Sequence, residues 1–177
     1  MRKVTYHCAV SVDGFIALED GSFDCFAMEG PHVAEFMEGL HQFGTVLMGR
    51  KTYEIGLRAG VTNPYPFLES YVFSRTMAES PDAAVTLVSD DVVERVRALK
   101  RAPGKGIWLA GAGSLAATLF AADLVDEVVV KLNPLLTGGG VRVVESLPRP
   151  RQLALRESKV YENGVVLLTY RVSPAAR

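Results

Sequence analysis

Between residues 4 and 132, short apolar runs alternate with segments of helical spacing. This alternation constrains the fold more than any other feature of the 177-residue chain. Val4, Tyr6, Cys8, Val10 and Val12 alternate with polar or small residues, which predicts a first strand. Further short apolar runs lie at 45–48, 67–73, 85–88, 107–110 and 127–132. Pro31 suits a first helical position, and Val33, Phe36, Met37 and Leu40 follow at i, i+3, i+4 and i+7. That spacing predicts a helix with one apolar face, stopped at Gly44. Other helices are predicted at 50–55, after the capping-type residues Ser89, Asp90 and Asp91, and at 114–121. Strands joined by crossover helices pair in parallel. At the end, 153–161 and 165–172 flank Glu162-Asn163-Gly164, and Asn-Gly between apolar runs predicts an antiparallel hairpin. The expected fold is α/β and three-layered, with a mostly parallel central sheet finished by antiparallel C-terminal strands, in one domain spanning 1–177.

Composition narrows the function classes. A 49% hydrophobic chain supplies one sizeable core, and a net charge of −1 provides no basic footprint for nucleic acid. No apolar run approaches the roughly 20 residues that cross a bilayer, and the N-terminal segment alternates instead of forming a signal-peptide core. Cys8 and Cys25 are too few for a disulfide framework. His7, His32 and His41 have no Cys or carboxylate at ligand spacing, so no metal site is predicted. A cytoplasmic protein acting on a small molecule is expected, with neither nucleic acid nor membrane as partner.

Chemistry-bearing residues gather where strands end. Gly111-Ala112-Gly113 joins a strand to a helix, and its glycines allow either a phosphate to approach free N–H groups or a simple tight corner. A dinucleotide fingerprint also needs an acid about 20 residues on; the next strand ends near Lys131 and Leu132 instead. Gly44 to Gly49 mimics the start of a P-loop, but the residues between are an apolar strand and Arg50 follows. There, Arg50, Lys51 and the Thr52 hydroxyl form an anion site or a solvated basic corner. Ser74-Arg75 ends another apolar run and suits a ribose 2′-phosphate or a surface turn. Ser89 follows the next strand. Asp13 ends the first strand, facing a pocket or making an Asp-Gly turn. In open α/β sheets ligands bind outside the carboxyl ends of the strands, so these turns together outline one nucleotide groove.

The segments AVSVDGFIA (9–17), VLMGRKTYE (46–54), YVFSR (71–75), IWLAGAGSL (107–115) and DEVVVKLNPLLTGGG (126–140) occur in the order seen in the dihydrofolate-reductase-like superfamily. The chain resembles its branch typified by the C-terminal reductase domain of the bacterial bifunctional riboflavin-biosynthesis protein. The resemblance implies NADPH across the carboxyl edge of the sheet. Gly49, Arg50, Lys51 and Thr52 would hold adenosine phosphates, and Ser74 and Arg75 the 2′-phosphate. Ser89 would lie near the adenine. Gly111, Ala112, Gly113, Ser114 and Leu115 would cover the pyrophosphate and nicotinamide ribose. Asp13 is the candidate catalytic residue, the proton coming from it or from solvent, and Asp13 and Asn133 would bind substrate. A homodimer is also implied. The implied activity is reduction of a small heterocyclic or sugar-imine/carbonyl substrate, as in 5-amino-6-(5-phosphoribosylamino)uracil reductase. The alternatives are dihydrofolate reduction and a non-catalytic NADPH-binding or dimerisation module. The acid that dihydrofolate reductases carry on the first helix has no clean counterpart in PHVAEFMEGL, where His32 and Val33 precede Glu35.

Overall fold

Consecutive residues of a strand point to opposite faces, and strand β1 (Val4–Ser11) uses both faces. Val4, Tyr6 and Cys8 enter the larger core, whereas Thr5 and His7 line a cavity on the other side. The computed structural model describes residues 1–111 and 113–173. In it β1 lies inside an eight-stranded sheet. The spatial order is β5 (Val85–Val88), β4 (Glu69–Phe73), β3 (Phe43–Gly49), β6 (Gly106–Ala110), β1, β7 (Glu127–Asn133), β10 (Val166–Val172) and β9 (Leu153–Val160). The first six are mutually parallel, and β10 runs antiparallel to β7 and β9. The predicted mixed sheet is therefore present.

Helices α1 (Pro31–Gly39) and α2 (Arg50–Arg58) cover one face; α3 (Val92–Arg101) and α4 (Gly113–Ala121) cover the other. Leu47 and Leu109 pack with α3 and α4 residues such as Val96 and Leu119. Their neighbours Val46, Met48 and Trp108 pack with Leu40 and Tyr53 on the opposite face. Each fully buried aliphatic side chain contributes roughly 1.5–3 kcal/mol of transfer free energy, and this two-sided burial fixes strand register.

Some elements differ from expectation. Helix α1 does not bury Met37, which is 51% exposed; it buries His32, half-buries Phe36 and leads into buried Leu40. The inward stripe therefore runs at i, i+4, i+8 from residue 32. The His32 ring packs on Tyr161, with centroids 5.5 Å apart, and its Nε2–H donates to the Ala27 carbonyl at 3.1 Å, which sets the helix rotation. Gly39 ends α1, a 3-10 turn covers Leu40–Gln42, and Gly44 lies within β3. Asp91 at the start of α3 makes no side-chain capping bond. The strands β2 (Phe15–Ala17) and β8 (Val141–Arg142) form a small antiparallel pair. Both are too short to show an alternating pattern. The Asn163-Gly164 turn closes the last hairpin, with Gly164 at φ +82° and Tyr161 N–H donating to the Val165 carbonyl at 2.9 Å.

Candidate active site

Six parallel strands place their carboxyl ends on one edge of the sheet. In spatial order that edge carries Ser89, Ser74-Arg75, Gly49, Gly111, Asp13 and Asn133. The β3 and β6 turns touch. Gly111 has φ +72°, and a Cβ there would lie 2.0 Å from Thr52 Oγ1, 2.8 Å from Cγ2 and 2.9 Å from Cβ. The first turn of α2 and the turn entering α4 therefore form one wall that admits only glycine at 111. Ala112 lies outside the described residues. Both helices begin at this edge, where free N–H groups and the helix dipole favour anions. Gly49 is open, with nothing within 4 Å of a Cβ position. Gly113 starts α4 beside the exposed Glu145, whose Oε1 would be 3.0 Å from a Cβ at 113.

The cations along the edge differ in their partners. Arg50 pairs with Glu54 at 2.9 Å. Lys51 and Arg75 are exposed, and among the described residues neither has a carboxylate within ion-pair distance. Ser74 is buried, and its Oγ accepts from the N–H groups of Thr76 (3.2 Å) and Met77 (2.9 Å), holding the loop that presents Arg75. Ser89 and Ser114 are exposed. Leu115 is a core residue at 7% exposure, so only its backbone faces the edge.

Two of the expected site residues are held by hydrogen bonds within the protein. The Asp13 carboxylate accepts hydrogen bonds from Ser11 Oγ (2.6 Å), Gly138 N–H (2.7 Å) and Thr137 N–H (3.2 Å). The Ser11 bond chiefly, with the backbone N–H groups, lowers its pKa to about 2. Asp13 is ionised at neutral pH and clamps the 137–138 loop. Asn133 is fully buried; its Oδ1 accepts from Ala27 N–H at 3.1 Å and its Nδ2 donates to the Lys131 carbonyl at 2.9 Å. It organises the 18–30 loop through Ala27.

A cavity of about 330 Å³ lies between α1 and strands β1, β7, β10 and β9. That is within the range of small-molecule sites, about 300–1,000 Å³. His7, His32, Phe36, Lys131 and Tyr161 line it. Burial first, then the nearby Lys131 charge, lowers the His7 pKa to about 4, so the ring is neutral at neutral pH. Burial also lowers that of Lys131. The Ala27 peptide is held by three side chains: Asn133 takes its N–H, while Lys131 Nζ and His32 Nε2 each donate to its carbonyl at 3.1 Å. Glu35 accepts from Lys159 Nζ at 2.7 and 2.8 Å and from Tyr161 O–H at 2.8 Å. Burial and the bond to Glu35 raise the Tyr161 pKa to about 12. His7 and Lys131 were not among the expected site residues. Strand parity was the available signal: Thr5 and His7 share one face with Glu127, Val129 and Lys131 across the β1–β7 register.

A sheet of this order, with glycine turns meeting helix starts along its parallel edge, is the dihydrofolate-reductase-like fold. Dihydrofolate reductase from Enterococcus faecalis, solved in complex with NADP(H) and RAB-propyl, superposes with a TM-score of 0.73 at 16% identity, covering 97% of each chain. Within that fold class, the chain belongs to the RibD C-terminal domain family, whose profile matches residues 2–167. The uncharacterised protein YyaP of Bacillus subtilis (strain 168) is 32% identical over 96% of this chain and 94% of its own length. A putative riboflavin biosynthesis protein from Shewanella sp. PV-4 superposes with a TM-score of 0.85 at 26% identity, covering 97% of this chain and 99% of that one.

Proposed function

We propose that this protein is an NADPH-dependent reductase of the riboflavin-pathway type. Its substrate is a small heterocycle or sugar-derived molecule with a reducible C=N or C=O bond, related to the substrate of 5-amino-6-(5-phosphoribosylamino)uracil reductase. The contact between Gly111 and Thr52 carries this reading, because it packs two helix-starting turns directly against each other, with no room for a side chain at 111, into one continuous stretch of the edge. Gly49, Lys51, Thr52, Gly111, Gly113 and Ser114 would hold the phosphates and nicotinamide ribose, together with Arg50 once it shares its guanidinium with a phosphate. Arg75, on the loop tied by Ser74, would meet the 2′-phosphate, and Ser89 would flank the adenine. NADPH, when bound, supplies the hydride. The protein's own part is to orient the reactants and exclude water.

The substrate would occupy the cavity beneath α1, under the loop latched at Ala27. Asp13 supports that site by fixing the 137–138 loop. Dihydrofolate suits the site less well, because the one acid near the expected position, Glu35, is already engaged by Lys159 and Tyr161. The protein would act in the cytoplasm as a homodimer. Leu155 and Val160, exposed on edge strand β9, support the dimer, and a monomer in sedimentation at micromolar concentration would remove it.

Titration with NADPH and NADH, followed through Trp108, the single tryptophan, tests the function. NADPH is expected to bind at least tenfold more tightly than NADH, and Arg75→Ala to abolish that preference while leaving NADH unchanged. Equal affinities for the two nucleotides, or an unaltered preference in the variant, would refute the assignment.

A further inference from the structure

Helix α4 has no acidic residue in its first turn and no basic residue in its last. The charges that suit its dipole come from a different segment. Glu145 stands at its start, with Oε1 3.0 Å and Cδ 3.5 Å from the Cβ position of Gly113. Arg151 stands at its end, where Nη2 donates to the carbonyls of Phe120 and Ala121. The 145–151 stretch reaches up to about 20 Å when extended, against about 13 Å for the nine residues of α4. It is a strap along the helix, with a negative charge at the positive end of the dipole and a positive charge at the negative end.

The two ends are held differently. The Arg151 side chain is 4% exposed and pairs with Asp123. Pro148 and Pro150 stiffen the chain leading to it. On the other side of Glu145, Val143 is fixed twice: Tyr6 O–H donates to its carbonyl at 2.6 Å, and its N–H donates to the Gly14 carbonyl at 3.0 Å. Val143, Val144 and Leu147 pack against the larger core. Glu145 lies exposed between these anchors, and among the described residues no cation is within ion-pair distance of it. Rotation of its side chain clears the start of α4 while the strap's backbone stays in place.

We propose that Glu145 is a built-in stand-in for phosphate. It holds the start of α4 in the unliganded protein and withdraws when a pyrophosphate-bearing ligand docks there, so that every such ligand competes with an internal carboxylate. This deepens the reductase reading and rests on it for the identity of the nucleotide. The competition itself is tested with inorganic pyrophosphate.

The experiment compares wild type, Glu145→Gln and the exposed control Glu38→Gln, which has the same change in net charge. Urea midpoints are measured without ligand and with saturating NADPH, and affinities for pyrophosphate and NADPH by calorimetry. Glu145→Gln is expected to lower the unliganded midpoint and to bind both ligands about two- to fivefold more tightly. Saturating NADPH should close the gap in midpoint, because the carboxylate no longer contributes once it has withdrawn. A carboxylate that only stabilises the helix predicts a lower midpoint with no gain in affinity, and that result overturns the proposal. So does an unliganded variant as stable as wild type, or an equal gain in Glu38→Gln. If pyrophosphate binding tightens in Glu145→Gln but NADPH binds neither protein, the reductase reading fails and the stand-in remains. If NADPH binds and neither ligand distinguishes Glu145→Gln from wild type, the stand-in fails and the reductase reading remains. Absence of binding by either ligand up to about 10 mM overturns both.

Discussion

Gly111→Ala is the substitution that most directly probes the nucleotide edge. Two costs add. At φ +72° an L-residue pays about 1–2 kcal/mol for left-handed backbone. The new Cβ also overlaps Thr52, at 2.0 Å from Oγ1, 2.8 Å from Cγ2 and 2.9 Å from Cβ. Rotating Thr52 about χ1 moves Oγ1 and Cγ2 but leaves its Cβ in place, so no rotamer clears the clash and the two turns must part. Overpacking of this kind costs roughly 1–3 kcal/mol. The sum, about 2–5 kcal/mol, corresponds to a fall in Tm of about 4–20 °C for a chain of this size. The decisive assay is a double-mutant cycle with Thr52→Ala, which removes two of the three contacts. In that background Gly111→Ala should cost about 1–2 kcal/mol less, and calorimetric or urea unfolding of the four proteins reads the difference. A coupling below about 0.5 kcal/mol, the level expected of independent sites, would show that the two turns do not bear on each other and would remove the observation on which the shared cradle rests.

Three further outcomes follow from the same geometry. Because its folded pKa is depressed to about 2, Asp13 stabilises the protein above its unfolded value near 4, and this contribution is lost as pH falls towards 2. The gap in urea midpoint between wild type and Asp13→Asn should therefore be constant from pH 5 to 7 and close on acidification; a constant gap down to pH 2 would contradict the clamp. Glu145→Ala removes a carboxylate from the start of α4, where a helix N-terminus favours an anion by about 0.3–1 kcal/mol. NADPH should then bind about two- to fivefold more tightly, and weaker binding would count against phosphate at that turn. His7 should stay neutral down to about pH 4 by NMR, contributing stability that falls as pH drops from its unfolded value near 6.5 towards 4. Lys131→Met should raise that midpoint only in part, since burial is the larger cause, and a His7 midpoint near 6.5 in wild type would show that the cavity wall is open to water.

What the sequence made legible follows from how each signal is encoded. Parallel strands and their crossover helices leave a local pattern, so 45–48 and 107–110 could be placed by alternation and turn chemistry, and the strand-end edge followed from topology alone. Three-dimensional closeness leaves no such trace. Nothing around Thr52 announces that Gly111 will lie against it, and the requirement for glycine at 111 becomes visible only when two strands are paired. Met37 has the right period for an inward face, yet the helix turns His32 inward because a carbonyl at 27 and a ring at 161 wait for it. Asp13 and Asn133 have the residue types of a site, and the hydrogen-bond partners that hold them, at 27 and 137–138, are remote in sequence. His7 and Lys131 lie on strands whose apolar neighbours dominated the pattern, and their side chains share a cavity only through the β1–β7 register.

The nucleotide edge and the α1 cavity are joined through one strand. β7 contributes Lys131 to the cavity and Asn133 to the edge, and both hold the same peptide at Ala27. The third holder, His32, comes from the first turn of α1. A ligand that drew the Lys131 ammonium away from Ala27 would leave that carbonyl to His32 alone. One that shared the ammonium would add charge beside a carbonyl already accepting two hydrogen bonds. In either case the state of the cavity bears on the 18–30 loop, and the loop's N–H at Ala27 is tied to Asn133 at the carboxyl end of β7. Occupancy of the cavity and order in the loop should therefore change together, because three side chains and one peptide connect them without any intervening element.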